Sequence, residues 1–274
     1  MISQTSRSLL FGLAAAYAVL GAFLFCAPTM ASAHFAWHVS PLVTMTIGGW
    51  CLGNAWAAFV AARQRRWAAI IGAIVYFTAF GLLELGVLIA FHQRVVLSGA
   101  LAWGYVLVLF GSCMVAAACI IDGTLHRPAF AIIGRRLRTL EYGYLLLFIL
   151  FVGFLGFYGL TAAEGSRGLN ASIFPERLSM LSLRSFGAFY LALTIGVVPF
   201  LIMPGLGNAL AHALAFQGLV VIITLAAAVF IDEFDFSGRP TQAIYFAVYL
   251  LVGVINGLYL VRYGSGEEAV TVTS

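Results

Sequence analysis

The sequence predicts an all-α membrane protein whose eight transmembrane helices form two parallel four-helix repeats. Three observations lead to that fold class. Of the 274 residues, 63% are hydrophobic and 9% charged, and mean hydropathy is +1.04; so few charges cannot cover the surface of a soluble chain of this length. Apolar runs of about 20 residues, the length that crosses a ~30 Å hydrocarbon core as helix, occur eight times. A slide of the chain on itself by 139 residues aligns spans and loops without a gap.

The first apolar window covers residues 8–28. It also resembles a secretory signal, with Arg7, an apolar run from Leu9 to Phe25, the breaker Pro28 and Ala31-Ser32-Ala33 as an A-x-A site. Cleavage there would start the chain at His34 with seven spans; the apolar run is longer than most signal cores, and the repeat requires the first span, so retention is expected. Windows 42–62 and 67–90 are separated by AARQRRW (61–67), and HQRVVLSGA (92–100) leads into window 101–121. The Arg-rich DGTLHRPAFAIIGRRLR (122–138) divides the chain into a first unit, 1–138, and a second, 139–274. Windows 141–162, 181–203, 208–231 and 242–262 complete the second unit, joined by AEGSRGLNASIFPER (163–177), PGLGN (204–208) and DEFDFSGRP (232–240). The runs are continuous and lack the alternation of barrel strands, so they read as helices.

Arg residues stay on the cytoplasmic side of membranes more often than not. With the N-terminus inside, the inner face collects nine, Arg7, Arg63, Arg65, Arg66, Arg127, Arg135, Arg136, Arg138 and Arg262, against five outside, Arg94, Arg167, Arg177, Arg184 and Arg239. Both termini are therefore expected in the cytoplasm. The 139-residue slide pairs Phe35 with Phe174, Ser40 with Ser179, Leu42 with Leu181, Gly48 with Gly187, Leu52 with Leu191, Phe77 with Phe216, Phe91 with Phe230, Ser98 with Ser237 and Gly99 with Gly238. An even number of spans per unit makes the repeats parallel, related by an axis along the membrane normal.

The stretch Leu183-Arg-Ser-Phe-Gly-Ala-Phe-Tyr-Leu-Ala-Leu193 resembles a recurring start of a span in uncharacterised polytopic membrane proteins of high-GC bacteria. The first unit departs from it, with Met45 in place of Arg184 and Gly49 in place of Ala188. The resemblance implies a bacterial inner-membrane protein and lends no activity.

Charge is scarce, so its placement is the main functional signal. All fourteen basic residues are Arg, which excludes chemistry through a Lys Schiff base. No basic stripe carries stacking aromatics, so nucleic acid is not an expected partner. Three of the ten carboxylates, Asp232, Glu233 and Asp235, crowd the loop after the seventh window. The equivalent loop of the first unit carries His92 and Arg94 instead, and the segments entering the second and sixth windows carry His34, His38, Arg177 and Arg184. These groups read as solvated loop charges, or as a polar site where opposed charges of the two units meet. His34 and His38, four residues apart, would share one helical face and one metal ion, with Asp232 or Asp235 completing the shell; a free amino group at His34 would favour copper.

Within the apolar windows, Glu84 lies deep in the third, and His212 stands near the inner end of the seventh with Gln217 after it. Ionisable groups at that depth mark a proton or solute pathway, or a neutral side chain hydrogen-bonded to a neighbouring helix. Asp122 and His126 fit the capping of a helix end. Cys26, Cys51, Cys113 and Cys119 lie in apolar windows without a CxxC pair and read as small buried residues. Glycines in spacings such as Gly49 to Gly53 and Gly153 to Gly156 allow close helix approach.

No motif names a cofactor. Three function classes follow: a non-enzymatic protein that passes or senses a small solute or ion where the repeats meet, a metal-handling or redox protein using the outer His and acid residues, and a scaffold subunit of a larger complex. The implied partners are the lipid bilayer and, through the outer loops, a membrane protein or a second copy of the chain.

Overall fold

The computed structural model describes residues 1–126, 131–162, 176 and 178–263. Among them there is no β-strand, and eight long helices and two short ones follow in order: α1 (Gln4–Cys26), α2 (Pro28–Ser32), α3 (Pro41–Arg63), α4 (Trp67–Ala90), α5 (Ala100–His126), α6 (Thr139–Thr161), α7 (Met180–Val197), its continuation α8 (Pro199–Ile202), α9 (Leu206–Val229) and α10 (Ala243–Tyr263). Single 3₁₀ turns follow α4 at His92–Arg94 and α9 at Ile231–Glu233, and a third, Pro240–Gln242, leads into α10.

Local chemistry sets the starts. Ser40 and Ser179, a pair matched in the 139-residue slide, are the N-caps of α3 and α7: each Oγ accepts from the backbone N–H three residues on, at 3.1 Å. Ser3 caps α1 in the same way. At α6 the cap backbone N–H of Arg138 donates to Glu141 Oε2 at 2.7 Å.

Among the described residues seven helices are long and apolar enough to cross a membrane: α1, α4, α5, α6, α7 continued into α8, α9, and α10 with its leading turn. The expected second span, α3, does not reach that composition. Its place in the bundle explains why: eighteen of its 23 residues are buried, Thr44, Thr46 and Asn54 among them. A helix that faces other helices rather than lipid is free to carry polar and small residues.

α1 runs along α3 and α6 along α7, while α5 packs on α4 and α10 on α9. The central contacts cross between the halves of the chain, with α3 against α9 and α4 against α7. The starts of α3 and α7, of α4 and α9, and of the two 3₁₀ turns after them are each 139 residues apart; those of α1 and α6 are 135 apart, because the second connection is four residues longer. Gly48 and Gly187, matched in the slide, occupy like places, each with its helix pressed against the backbone of α1 or α6.

The loops gather at two ends. At an Arg-rich end, Ile2 N–H donates to Arg65 O and Leu206 N–H to Arg135 O, and the buried Asn208 receives Ile133 N–H at 2.7 Å and donates to Ala68 O at 3.0 Å. At the far end Val96 N–H donates to Ala36 O, bringing the connections after α2 and α4 together. α1 packs on α5, whereas α6 and α10 flank a cavity and are linked at its Arg-rich end by Tyr259 and Glu141.

Candidate functional site

The far end holds most of the charges singled out from the sequence, and it does not assemble them into one site. His34 and His38 lie on non-helical chain between α2 and α3, so helical spacing does not put both imidazoles on one face. Phe35 and Trp37 hold that segment against the bundle, packing on each other and on Tyr105 with ring centroids 4.6 to 5.7 Å apart, and they leave the two histidines exposed. Among the described residues no group of three or more His, Cys, Asp or Glu is placed to hold a metal ion. His92 is exposed and its Nδ1 meets Ile89 O; Arg94, also exposed, lies over the Phe91 ring.

Arg184 does not reach the acidic loop. Its two terminal nitrogens donate to Gly159 O at 2.8 Å and Ala162 O at 2.6 Å, capping the end of α6. Arg177 lies outside the described residues. Asp232, Glu233 and Asp235 are exposed, and Asp235 closes a local turn by accepting from Gly238 N–H at 2.8 Å. The acid that does join the two halves is Glu176, not singled out from the sequence, which accepts a hydrogen bond from Ser40 Oγ. Burial lifts its carboxyl above the usual range against the pull of the Ser40 hydroxyl, and nearby Glu233 lifts it further. A lone Glu in a loop carries no sequence signal for such a role.

Glu84 is fully buried where α4, α5 and α7 meet. Tyr105 Oη of α5 donates to its Oε1 at 2.9 Å, and the buried Ser185 of α7 adjoins the carboxyl. Further buried polar links surround it: Trp37 Nε1 to Ser182 Oγ at 3.0 Å, Tyr76 Oη to Asn54 Oδ1 at 2.8 Å, and Tyr17 Oη with Ser112 Oγ at 2.6 Å. These bonds tie α1, α3, α4 and α5 together and fix the segment before α3 to α7.

Asp122 does more than cap a helix end. Its Oδ2 accepts Ser3 N–H at 3.1 Å and Ser6 Oγ–H at 2.9 Å, and His126 Nδ1 lies 2.9 Å from Oδ1, so the start of α1 is tied to the end of α5. The four cysteines are free; Cys51 and Cys119 are buried as the sequence reading expects, whereas Cys113 is half-buried and Cys26 is exposed.

The best-formed space is the cavity between α6 and α10, about 450 Å3, floored by α7 and α9. Most of its wall is aliphatic and aromatic, from Leu145, Phe148 and Phe151 of α6 to Phe216 of α9 and Val248 and Val252 of α10. His212 contributes to it, with its ring between those of Phe200 and Phe216 at 5.0 and 4.3 Å. Gln217 does not line it; its Nε2 donates to Gly253 O at 3.1 Å and joins α9 to α10. Of Glu84, His212 and Gln217, His212 is thus the one that lines this cavity. The remaining polar lining, Glu141, Tyr144, Tyr190, Tyr245, Tyr249, Asn256 and Tyr259, was not legible because Tyr and Asn in an apolar span read as interface or packing residues until the facing helix is known. A volume of this size with a few polar groups in an apolar wall is the form of a small-molecule site. No protein-family model, curated protein or solved structure matches the chain.

Proposed function

We propose that the chain is an eight-span bacterial inner-membrane protein of two parallel four-helix copies, with both termini cytoplasmic, and that it takes a small amphiphilic molecule from the bilayer into the cleft between α6 and α10. It senses or passes that molecule without converting it. The observation that carries the reading is the cleft itself, apolar along its length and set between two peripheral helices, with 17% of the most apolar stretch of α6 and 6% of that of α10 buried.

The duplication gives the cleft its meaning. In the first copy Tyr17 with Ser112, and Ser3 and Ser6 with Asp122, fasten α1 to α5. If the 139-residue slide is carried through α10, whose start and end lie 143 and 137 residues from those of α5, and 135 is used for α6, then Val152, Leu251 and Val261 answer to Tyr17, Ser112 and Asp122. A bilayer cannot drive two apolar helices together by hydrophobicity, since lipid tails are as apolar as Leu. The side-chain link between α6 and α10 lies at the Arg-rich end, where Tyr259 meets Glu141, and along the rest of its length the second unit stays open to lipid. The site for a solute therefore lies inside one copy, rather than where the copies meet around Glu84, which is closed.

Native mass spectrometry of protein released from mild detergent tests this. One hydrophobic molecule should leave with each chain, and Val248→Trp, which fills the cleft, should abolish it while keeping the wild-type melting temperature. Leu145→Trp should do the same from the other wall. Chains that carry no molecule, or carry it equally in both filled variants, refute the cleft as a binding site.

A further inference from the structure

Resting on that reading, we propose that the bound molecule has a single long hydrocarbon chain with an uncharged oxygen head, a hydroxyl or a carbonyl, and that the head sits at the Arg-rich end of the cleft.

The polar lining is not spread evenly. Tyr144 lies five residues into α6, His212 six into α9, and Asn256 and Tyr259 seven and four residues before the end of α10. At about 1.5 Å per residue, all four fall in one layer about 6 to 11 Å from the Arg-rich end. Two of these groups lack what a buried polar group needs. Among the described residues Tyr144 Oη is buried without a hydrogen-bond partner, and so is His212 Nδ1. Of the two, Tyr144 Oη is the donor that a molecule in the cleft would satisfy; an unmet buried donor is rare and costs on the order of 1–3 kcal/mol.

His212 Nδ1 packs against α4, where a Cβ on Gly72 would come within 2.6 Å of it. A neutral imidazole carries one N–H, and the crowded, unpartnered Nδ1 is the poorer place for it. The proton then belongs on Nε2, at the ring edge left to the cleft. Tyr144 Oη and His212 Nε2 thus offer two donors, with the Asn256 amide in the same layer, to one oxygen.

Charge argues for a neutral head. The charged groups nearest that layer, Glu141 and Arg135, are locked together by two bonds of 2.6 and 2.7 Å, and Glu141 also receives Arg138 N–H. An anionic head drawn into the layer would have to break that pair or sit uncompensated in an apolar wall. Beyond the layer the lining is aliphatic and aromatic, and its further hydroxyls belong to tyrosines, with Tyr190 and Tyr249 near mid-depth bonded to each other at 3.3 Å and Tyr245 toward the far end. That profile fits a chain rather than a second polar group.

Binding of three radiolabelled probes to the purified, delipidated protein decides the matter: a long-chain polyprenyl alcohol, its phosphate ester and the parent hydrocarbon. The alcohol should bind roughly tenfold tighter than the hydrocarbon, as two neutral hydrogen bonds imply, and the phosphate no tighter than the hydrocarbon. Tyr144→Phe should weaken the alcohol about threefold to tenfold and leave the hydrocarbon unchanged, a selectivity that a packing role would not produce. Equal affinities for alcohol and hydrocarbon remove the head-group assignment while leaving the cleft; tightest binding of the phosphate reverses it. Failure of all three probes to bind overturns the cleft as well.

Discussion

Where α6 crosses α7, the two helices touch backbone to backbone at Gly159 and Gly187. A Cβ placed on Gly187 would stand 2.6 Å from Gly159 C and Leu160 N and 2.9 Å from Gly159 Cα. Ordinary contact begins near 3.4 Å, so α6 would have to retreat by about 0.8 Å. Overpacking of this kind costs about 1–3 kcal/mol, against which Ala in a helix gains up to about 1 kcal/mol over Gly. Gly187→Ala should therefore destabilise by about 0 to 2 kcal/mol, and at roughly 2–4 °C per kcal/mol for a chain of this size a detergent melt should fall by up to several degrees. Gly12→Ala is the control: nothing lies within 4 Å of its Cβ, so only the helical gain remains and the melt should hold or rise. Gly48→Ala, whose Cβ would meet Phe25 N at 2.7 Å and Leu24 C at 2.9 Å, should behave like Gly187→Ala if the two helix pairs are equivalent. A Gly187→Ala chain that melts at or above Gly12→Ala refutes the close approach.

Other expectations are simpler. Glu176 has its carboxyl raised in the folded state, so the native chain holds its proton above the pH where the unfolded chain loses it; stability falls as pH rises from the ordinary carboxylate range through the raised value. Glu176→Gln should flatten that slope in melts taken across mildly acidic pH, and a slope left unchanged would assign it to another group. Arg184→Met should lower the melt, because Gly159 O and Ala162 O lose charge-assisted donors, and an Arg placed at Asp232, Glu233 or Asp235 should not rescue Arg184→Glu. Neutralising those three acids together should change the melt little, since exposed charges contribute about 0–1 kcal/mol each. On a Cys-free background, cysteines at the exposed positions 65 and 136 should resist an impermeant reagent in intact cells while 98 and 237 react; labelling at 136 would invert the proposed orientation.

Helix positions were largely legible, because apolar length and Ser caps are local properties. α3 shows where that signal weakens: its polar and small residues follow from burial on all sides, which composition along the chain does not report. The site was legible only in part. His212 stood out as an ionisable group in an apolar run, and it does face the cavity. Glu84 stood out for the same reason and is closed in by Tyr105. His34 and His38 matched a spacing that has meaning only in a helix, and Phe35 and Trp37, which turn inward between them, keep that segment out of one. Glu176 and Tyr144 carried no signal, since what distinguishes each is its neighbour across a helix pair.

On the proposed duplication, the two units divide polar residues unequally, and that inequality supports the proposed cleft. Copy one gains Tyr17, Asn54, Glu84 and Ser112, whose hydrogen bonds draw α1, α3, α4 and α5 into a closed unit. Copy two keeps the helix order and the glycine contact of α6 on α7 but has Val152, Leu251 and Val261 at the fastening positions, so α10 holds chiefly to α9. Its own polar groups, Tyr144, His212 and Asn256, point instead to the space that the missing fastening leaves. Restoring the fastening separates cause from coincidence: Val152→Tyr with Leu251→Ser should draw α10 toward α6, raise the melt and expel the bound molecule together. A chain that gains stability while still carrying the molecule would show that the opening of the second copy and its polar lining are unrelated.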